Sequence, residues 1–171
     1  MLACAKGDQA AFETIVARHQ QQLLNFFRRM GDNNYAEDLT QKTFLRLYGY
    51  RQRYQPKAKL KTFIYLLARR VWIDHCRAEG RRREGNEQLL EQAELERDSR
   101  EQPLLDGARE RVRQALQGLS EEMRTVVVMS IYQGFKYREI ADIMEIPLGT
   151  VKTRMYHALK KIEKELRNED R

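Results

Sequence analysis

At 171 residues the chain has room for one large domain or two small ones. With 33% charged and 42% hydrophobic residues, and only 9 Gly and 3 Pro to interrupt them, it fits a helical protein and excludes collagen-like or mainly disordered classes. Its 32 Lys+Arg against 25 Asp+Glu leave a charge of +7, which favours a polyanionic partner without separating DNA, RNA, a membrane surface or an acidic protein. The two cysteines, Cys4 and Cys76, exclude a disulfide scaffold and imply a reducing compartment. His75 beside Cys76 makes no metal site, because helix neighbours diverge by about 100° and no second pair completes a ligand set. No metal, cofactor or catalytic group is therefore expected. Apolar runs such as Val126–Met129 are far short of a membrane span, and Met1–Asp8 lacks an apolar signal core, so no membrane insertion and a cytoplasmic location are expected.

Along the chain, Phe12, Ile15, Val16, His19, Leu23, Phe26, Phe27 and Met30 recur at helical spacing behind Asp8 as an N-terminal cap, predicting a long helix that ends at Gly31. After a turn at Asp32–Asn34, a second helix is predicted from about Tyr35 to Tyr50, with Ala36, Leu39, Thr43 and Leu47 facing inward. Asp38, Gln41 and Leu45, at i, i+3 and i+7, share an arc outside that stripe. An acid, an amide and a leucine there fit ordinary surface as well as a docking face.

A lysine-rich loop (Lys57, Lys59, Lys61) follows Gln55-Pro56, and Thr62 is a candidate cap for a third helix from Phe63 to about Arg77. Leu60, Phe63, Ile64, Leu67 and Val71 form its core stripe, while Tyr65, Arg69, Trp72 and Cys76 fall together on the far side. Aromatic rings interleaved with arginine suit single-stranded nucleic acid, the rings stacking on bases and the guanidinium groups neutralising phosphates. The competing reading is that Trp72 packs beneath the first helix.

The basic run through Arg81–Arg83 then gives way to Glu84, Glu87, Glu91, Glu94, Glu96, Asp98 and Glu101, with too few apolar residues to offset the ordering of a packed domain. The organisation expected is a first unit over 1–80, a charged linker over 81–106 and a second unit over 107–171. In that second unit Val112, Leu116 and Leu119 mark one helix. Ser120 caps the next, which should bury Met123, Val126, Val127 and Ile131 before Gly134. A short helix from Tyr137 to Met144, a turn at Glu145-Ile146-Pro147 and a final helix on Val151, Met155, Leu159, Ile162 and Leu166 complete it. The last pair reads as a helix-turn-helix, with Lys152, Thr153, Arg154, Tyr156 and His157 off the core stripe of the second helix, where they could enter a major groove. The fold class is thus all-α: two small helical domains joined by a charged linker, the second a helix-turn-helix domain.

Taken in order, these pieces strongly resemble the extracytoplasmic-function sigma factors of the bacterial sigma-70 family. The resemblance rests on Ala36-Glu37-Asp38-Leu39-Thr40-Gln41-Lys42-Thr43-Phe44 and Thr62-Phe63-Ile64-Tyr65-Leu66-Leu67-Ala68-Arg69 in the first half. Leu119-Ser120-Glu121-Glu122, Gly134-Phe135-Lys136-Tyr137-Arg138-Glu139-Ile140-Ala141 and Ile146-Pro147-Leu148-Gly149-Thr150-Val151-Lys152-Thr153-Arg154 carry it in the second. It implies a factor that binds core RNA polymerase, recognises promoter −35 and −10 elements and promotes strand opening. By that resemblance Asp38, Gln41, Phe44 and Leu45 would meet the clamp of the largest polymerase subunit. Lys57, Lys59, Lys61, Tyr65, Arg69, Arg70, Trp72 and Arg77 would meet the −10 element. Arg138, Thr150, Lys152, Thr153, Arg154, Tyr156, His157 and Lys160 would meet the −35 element, in a domain that also contacts the flap of the second-largest subunit. An anti-sigma factor is a further implied partner.

Three positions depart from the family pattern: Lys42 where an acid is common, Arg70 where asparagine is common, and Lys136 where serine usually caps the first helix of the helix-turn-helix. The alternative function is a stand-alone helix-turn-helix transcriptional regulator. A nuclease using Glu37 and Asp38 is disfavoured, because adjacent carboxylates on a helix diverge and no third ligand is placed to hold a metal.

Overall fold

The computed structural model describes residues 1–31, 33–84 and 107–169. Among them the chain forms α1 (Leu2–Ala5), α2 (Gln9–Met30), α3 (Ala36–Gly49), α4 (Leu60–Glu84), α5 (Gly107–Gln117), α6 (Glu121–Val127), a π-helical turn (Val128–Tyr132), α7 (Tyr137–Met144) and α8 (Leu148–Glu169). No strand occurs among the described residues.

Local chemistry accounts for most of these boundaries. The Asp8 carboxylate accepts from the Ala11 backbone N–H at 2.9 Å, and Gly31 closes α2 at φ 111°, a left-handed geometry that suits glycine. A side chain at Gly31 would also meet Arg124, whose Nη1 lies 2.7 Å from where its Cβ would stand. Ser120 caps α6 through the Met123 N–H. At α7 the missing serine is compensated from the other side: the Glu139 carboxylate accepts from the Lys136 backbone N–H at 2.9 Å.

Helix α3 packs between α2 and α4, burying Ala36, Leu39, Thr43 and Leu47 as their spacing predicts. In the second unit α8 packs on α5, α6 and α7. Helices α2 and α4 then meet the π turn and α7, so that one continuous apolar cluster runs from Leu23 and Phe26 through Tyr65 and Phe135 to Ile140 and Val151. Arg124 on α6 pins the junction: its guanidinium donates to the carbonyls of Leu116, Gln117 and Leu119 on its own side and to Met30 at the end of α2, at 2.6 Å. Four carbonyl partners offset the cost of partly burying this charge.

Several expectations are corrected. Thr62 does not cap α4, which begins at Leu60 and leaves Thr62 buried within its first turn. That helix runs past Arg77 to Glu84, so residues 81–84 of the expected linker continue it; the rest of the linker, 85–106, lies outside the described residues. Ile131 is 58% exposed rather than buried. The π turn holds an extra residue, with the Gln133 N–H donating five residues back to Val128, and this rotates Ile131 outward and Gln133 inward. Leu159 is likewise exposed, because the seam of α8 follows Val151, Met155 and Ala158, and Ala158 takes the close-packed position.

Candidate nucleic-acid interface

Two helices carry the aromatic and basic residues singled out from the sequence, and their environments differ. On α8 the expected reading face is open: Lys152, Thr153, Tyr156, His157 and Lys160 are exposed, and Thr150 and Arg154 half-buried. Its opposite side, Val151, Met155 and Ala158, is anchored in the core, so the exposed residues sit on a rigid support. The turn before it is formed by Glu145 in a left-handed conformation (φ 55°), with the Ile146 N–H donating back to Ala141 at 3.1 Å. The Thr153 hydroxyl donates to the Gly149 carbonyl at 3.0 Å, while the Tyr156 ring stands edge-on to His157. Arg138 on α7 is exposed beside this hairpin.

On α4 the far-side arc is covered. Tyr65 is fully buried and Trp72 is 6% exposed, which corrects the expectation that both rings lie on an uncovered face. Trp72 packs against Phe27 of α2, the competing reading raised from sequence, with 6.5 Å between ring centroids. Tyr65 meets Phe26 of α2 at 5.4 Å and Phe135 of the second unit at 4.8 Å, both edge-on. Its hydroxyl donates to the Gln133 side-chain oxygen at 2.5 Å, and burial pushes the phenol pKa well above its ordinary value. Arg69 is half-buried, and its Nε has no hydrogen-bond partner among the described residues, nor has the indole N–H of Trp72.

The cations around that arc are also engaged. Lys59 pairs with Glu139 at 3.1 Å, Arg70 with Glu145 at 3.1 Å, and Lys61 donates to the Gln133 carbonyl at 2.6 Å while lying 4.7 Å from the centre of the Phe135 ring. Burial lowers the Lys61 pKa, an effect the nearby Glu139 carboxylate opposes. Glu139 is held below the ordinary carboxylate range, first by the Lys136 backbone N–H and further by Lys59. Lys57 and Arg77 remain exposed.

A third surface lies between α2 and α3, where a groove of about 590 Å³ is lined by Phe12, Val16, Gln41, Phe44, Leu45 and Tyr48, among others. Leu45 is 71% exposed at its rim, whereas Phe44 is buried and forms part of its lining. Asp38 sits on the same helix and pairs with Lys42 at 2.5 Å, so the lysine that departs from the family pattern partly neutralises the acid beside it.

Sequence reading missed Gln133, Arg124 and Glu145. Each makes a contact across more than 65 positions of chain, so nothing in its local pattern marks it. Gln133 in particular follows an apolar run and enters the core through the π turn, which has no sequence signature of its own.

Comparison with known proteins places these surfaces in context. The family model for sigma-70 region 2 matches residues 15–82, and that for sigma-70 region 4 matches residues 109–162. The ECF RNA polymerase sigma factor SigW of Bacillus subtilis is 30% identical over 176 residues, covering 95% of this chain and 92% of the relative. The RNA polymerase sigma-H factor of Pseudomonas aeruginosa is 29% identical over 171 residues, covering 94% and 89%. In fold, the chain is similar to the sigma factor RpoE of Bartonella quintana, solved with the anti-sigma factor NepR, with a TM-score of 0.74 at 20% identity over 92% of this chain and 97% of the other. It is also similar to CnrH solved with the cytosolic domain of CnrY, with a TM-score of 0.72 at 21% identity over 96% and 92%. No described helix is long and apolar enough to cross a membrane.

Proposed function

The chain belongs to the extracytoplasmic-function group of the sigma-70 family, and on that premise we propose how its surfaces divide the work of a sigma factor. As a member of this family it binds core RNA polymerase and recognises promoter DNA, and the alternative of a stand-alone regulator is not favoured, since the first unit matches sigma region 2. The two units, 1–80 and 107–171, act as separate promoter-reading modules joined by the acidic linker.

In this reading α8 lies in the major groove of the −35 duplex. Lys152, Thr153, Tyr156 and His157 read base edges, and Arg138, Thr150, Arg154 and Lys160 hold backbone phosphates. The observation that carries it is the open basic face of α8 above a buried apolar seam. Lys57, Lys59, Lys61, Arg70 and Arg77 attract the −10 strand, Arg69 and Tyr65 form the wall against which an unstacked base is held once the second unit moves away, and Trp72 supports that wall from beneath by packing on Phe27. The α2/α3 groove and the adjoining Asp38, Gln41, Phe44 and Leu45 receive the polymerase clamp, and the second unit also meets the flap. The factor itself is non-enzymatic, the polymerase supplying the chemistry, and it acts where the polymerase does, in the cytoplasm. The similar sigma factor RpoE was solved with the anti-sigma factor NepR, which supports a partner of that kind here.

Run-off transcription with core polymerase over templates randomised at −35 and −10 tests the reading directly. One promoter class should emerge, and its transcripts should depend on the added chain. A chain that binds DNA but gives no promoter-dependent transcript overturns the reading.

A further inference from the structure

The second unit places an acceptor against each of three cations on the −10 face: the Glu139 carboxylate at Lys59, the Gln133 carbonyl at Lys61 and the Glu145 carboxylate at Arg70. It also supplies an aromatic edge, Phe135, and an amide oxygen, Gln133 Oε1, to Tyr65. Anionic oxygens on lysine and arginine, with a ring against a tyrosine, are what a nucleic-acid strand would itself offer this surface. We propose that Gln133, Phe135, Glu139 and Glu145 form an intramolecular latch that occupies the −10 face of the free chain and must be displaced before a promoter strand is captured there. The inference rests on the assignment of Lys59, Lys61 and Arg70 to −10 DNA.

Three features make the latch reversible. Lys59, Arg70 and Glu145 are substantially solvent-exposed and Glu139 is 22% exposed, so the cations stay within reach of solvent and phosphates at high local density can compete for them. The buried part has a polar knot within its apolar contacts: Gln133 accepts from Tyr65 and Lys61, and its side-chain amide donates to the Gln22 carbonyl at 3.4 Å. The 22 residues from 85 to 106 can span roughly 75 Å when extended, so the units can separate without breaking either one. The latch is also one-sided. It covers the α4 face and leaves Lys152, Tyr156, His157 and Lys160 on α8 exposed, so −35 duplex can be engaged while the −10 face is closed.

The test uses the full chain with spin labels on Ala17→Cys and Lys164→Cys in a Cys76→Ser background. Interunit distances are measured by pulsed electron resonance in the parent, in Gln133→Ala, and in the surface double variant Glu139→Gln with Glu145→Gln. The second variant keeps an oxygen acceptor for the Lys136 N–H and covers the case in which Gln133→Ala folds poorly. In parallel, unlabelled chains are titrated into a fluorescent single-stranded oligonucleotide bearing the −10 sequence found by transcription, with and without core polymerase.

Latch variants should deplete the distance population seen in the parent and bind the oligonucleotide about tenfold more tightly as free chains, as expected if the parent is about 90% closed. That advantage should vanish on the polymerase. Unchanged distances, or opened distances with no gain in affinity, overturn the inference. A Lys59→Ala, Lys61→Ala, Arg70→Ala chain that captures the strand on polymerase as well as the parent overturns instead the −10 assignment, and the inference falls with it.

Discussion

Helices α4 and α8 bear similar mixtures of rings and cations at helical spacing, yet Trp72 on one is 6% exposed and Tyr156 on the other is 62% exposed. The difference lies in their neighbours rather than in the arcs themselves. Helix α8 has partners on one side only, α5 to α7, whereas α4 packs on α3 with one side and on α2 and α7 with others. An aromatic–basic arc therefore becomes an open reading surface only where no second partner claims it. On the proposed assignment of these surfaces, the −35 face is presented from the start, and the −10 face has first to be uncovered.

The sharpest way to break this contrast is to truncate one ring from each helix and compare stability in urea. Tyr65→Ala removes a fully buried ring in contact with both units and should cost about 3–5 kcal/mol. Tyr156→Ala should stay within about 0.5 kcal/mol of the parent while changing affinity for −35 duplex. Equal costs would mean that the two faces are not differently packed.

Next in size is the base readout assigned to α8. Lys152→Ala should lose about 1–3 kcal/mol of discrimination at one or two −35 positions, measured by the polymerase-bound chain on a panel of duplexes. Arg138→Ala should instead weaken every sequence alike and lower the salt slope by about 0.9. Uniform loss from Lys152→Ala would reassign it to a phosphate.

A finer cut on the covered face is Tyr65→Phe, which keeps the ring and removes one hydroxyl. Gln133 Oε1 then loses its phenol donor at a buried site, so the chain should lose about 1 kcal/mol in urea unfolding. No measurable change would place the strength of this contact in the Phe26 and Phe135 rings alone.

The contrast also marks how far the sequence could be read. Helix ends set by neighbouring residues were legible: Asp8, Gly31 and Ser120 act within three or four positions, and their geometry follows from residue type. The inward stripe of α3 and the helix-turn-helix were legible for the same reason, since each element has a single buried side. What the wheel misassigned lies where a helix touches two bodies or leaves the α-helical repeat. Tyr65 and Trp72 are buried by contacts made through distant chain, and Ile131 is turned outward by a π turn that no periodicity of 3.6 can anticipate. Of the candidate sites, the exposure of Lys152, Thr153, Tyr156, His157 and Lys160 on α8 was legible, since a single core seam fixes which side faces out. On α4 the residue types were legible and their cover was not.

The smallest expected effect concerns the acid limb of the same cover. Glu139 has its pKa depressed from 4.5 by the Lys136 backbone N–H first and by Lys59 as well. Its ionised form is thus favoured when α7 is folded and the latch is closed. A depressed carboxylate contributes stability that is fully present above its unfolded pKa and is lost as pH falls through the lower folded value. Acidifying from about pH 6 to about pH 3 should therefore lower the melting temperature and loosen the contact between the units. Glu139→Gln still accepts from the Lys136 N–H but cannot titrate, so it should flatten the part of the acid dependence seen in the interunit distance. Because Lys152 is exposed and makes no ion pair with the first unit among the described residues, Lys152→Ala should leave that dependence as it is in the parent. If both substitutions flatten it equally, the acid response belongs to the whole chain and the two faces are not distinguished by their cover.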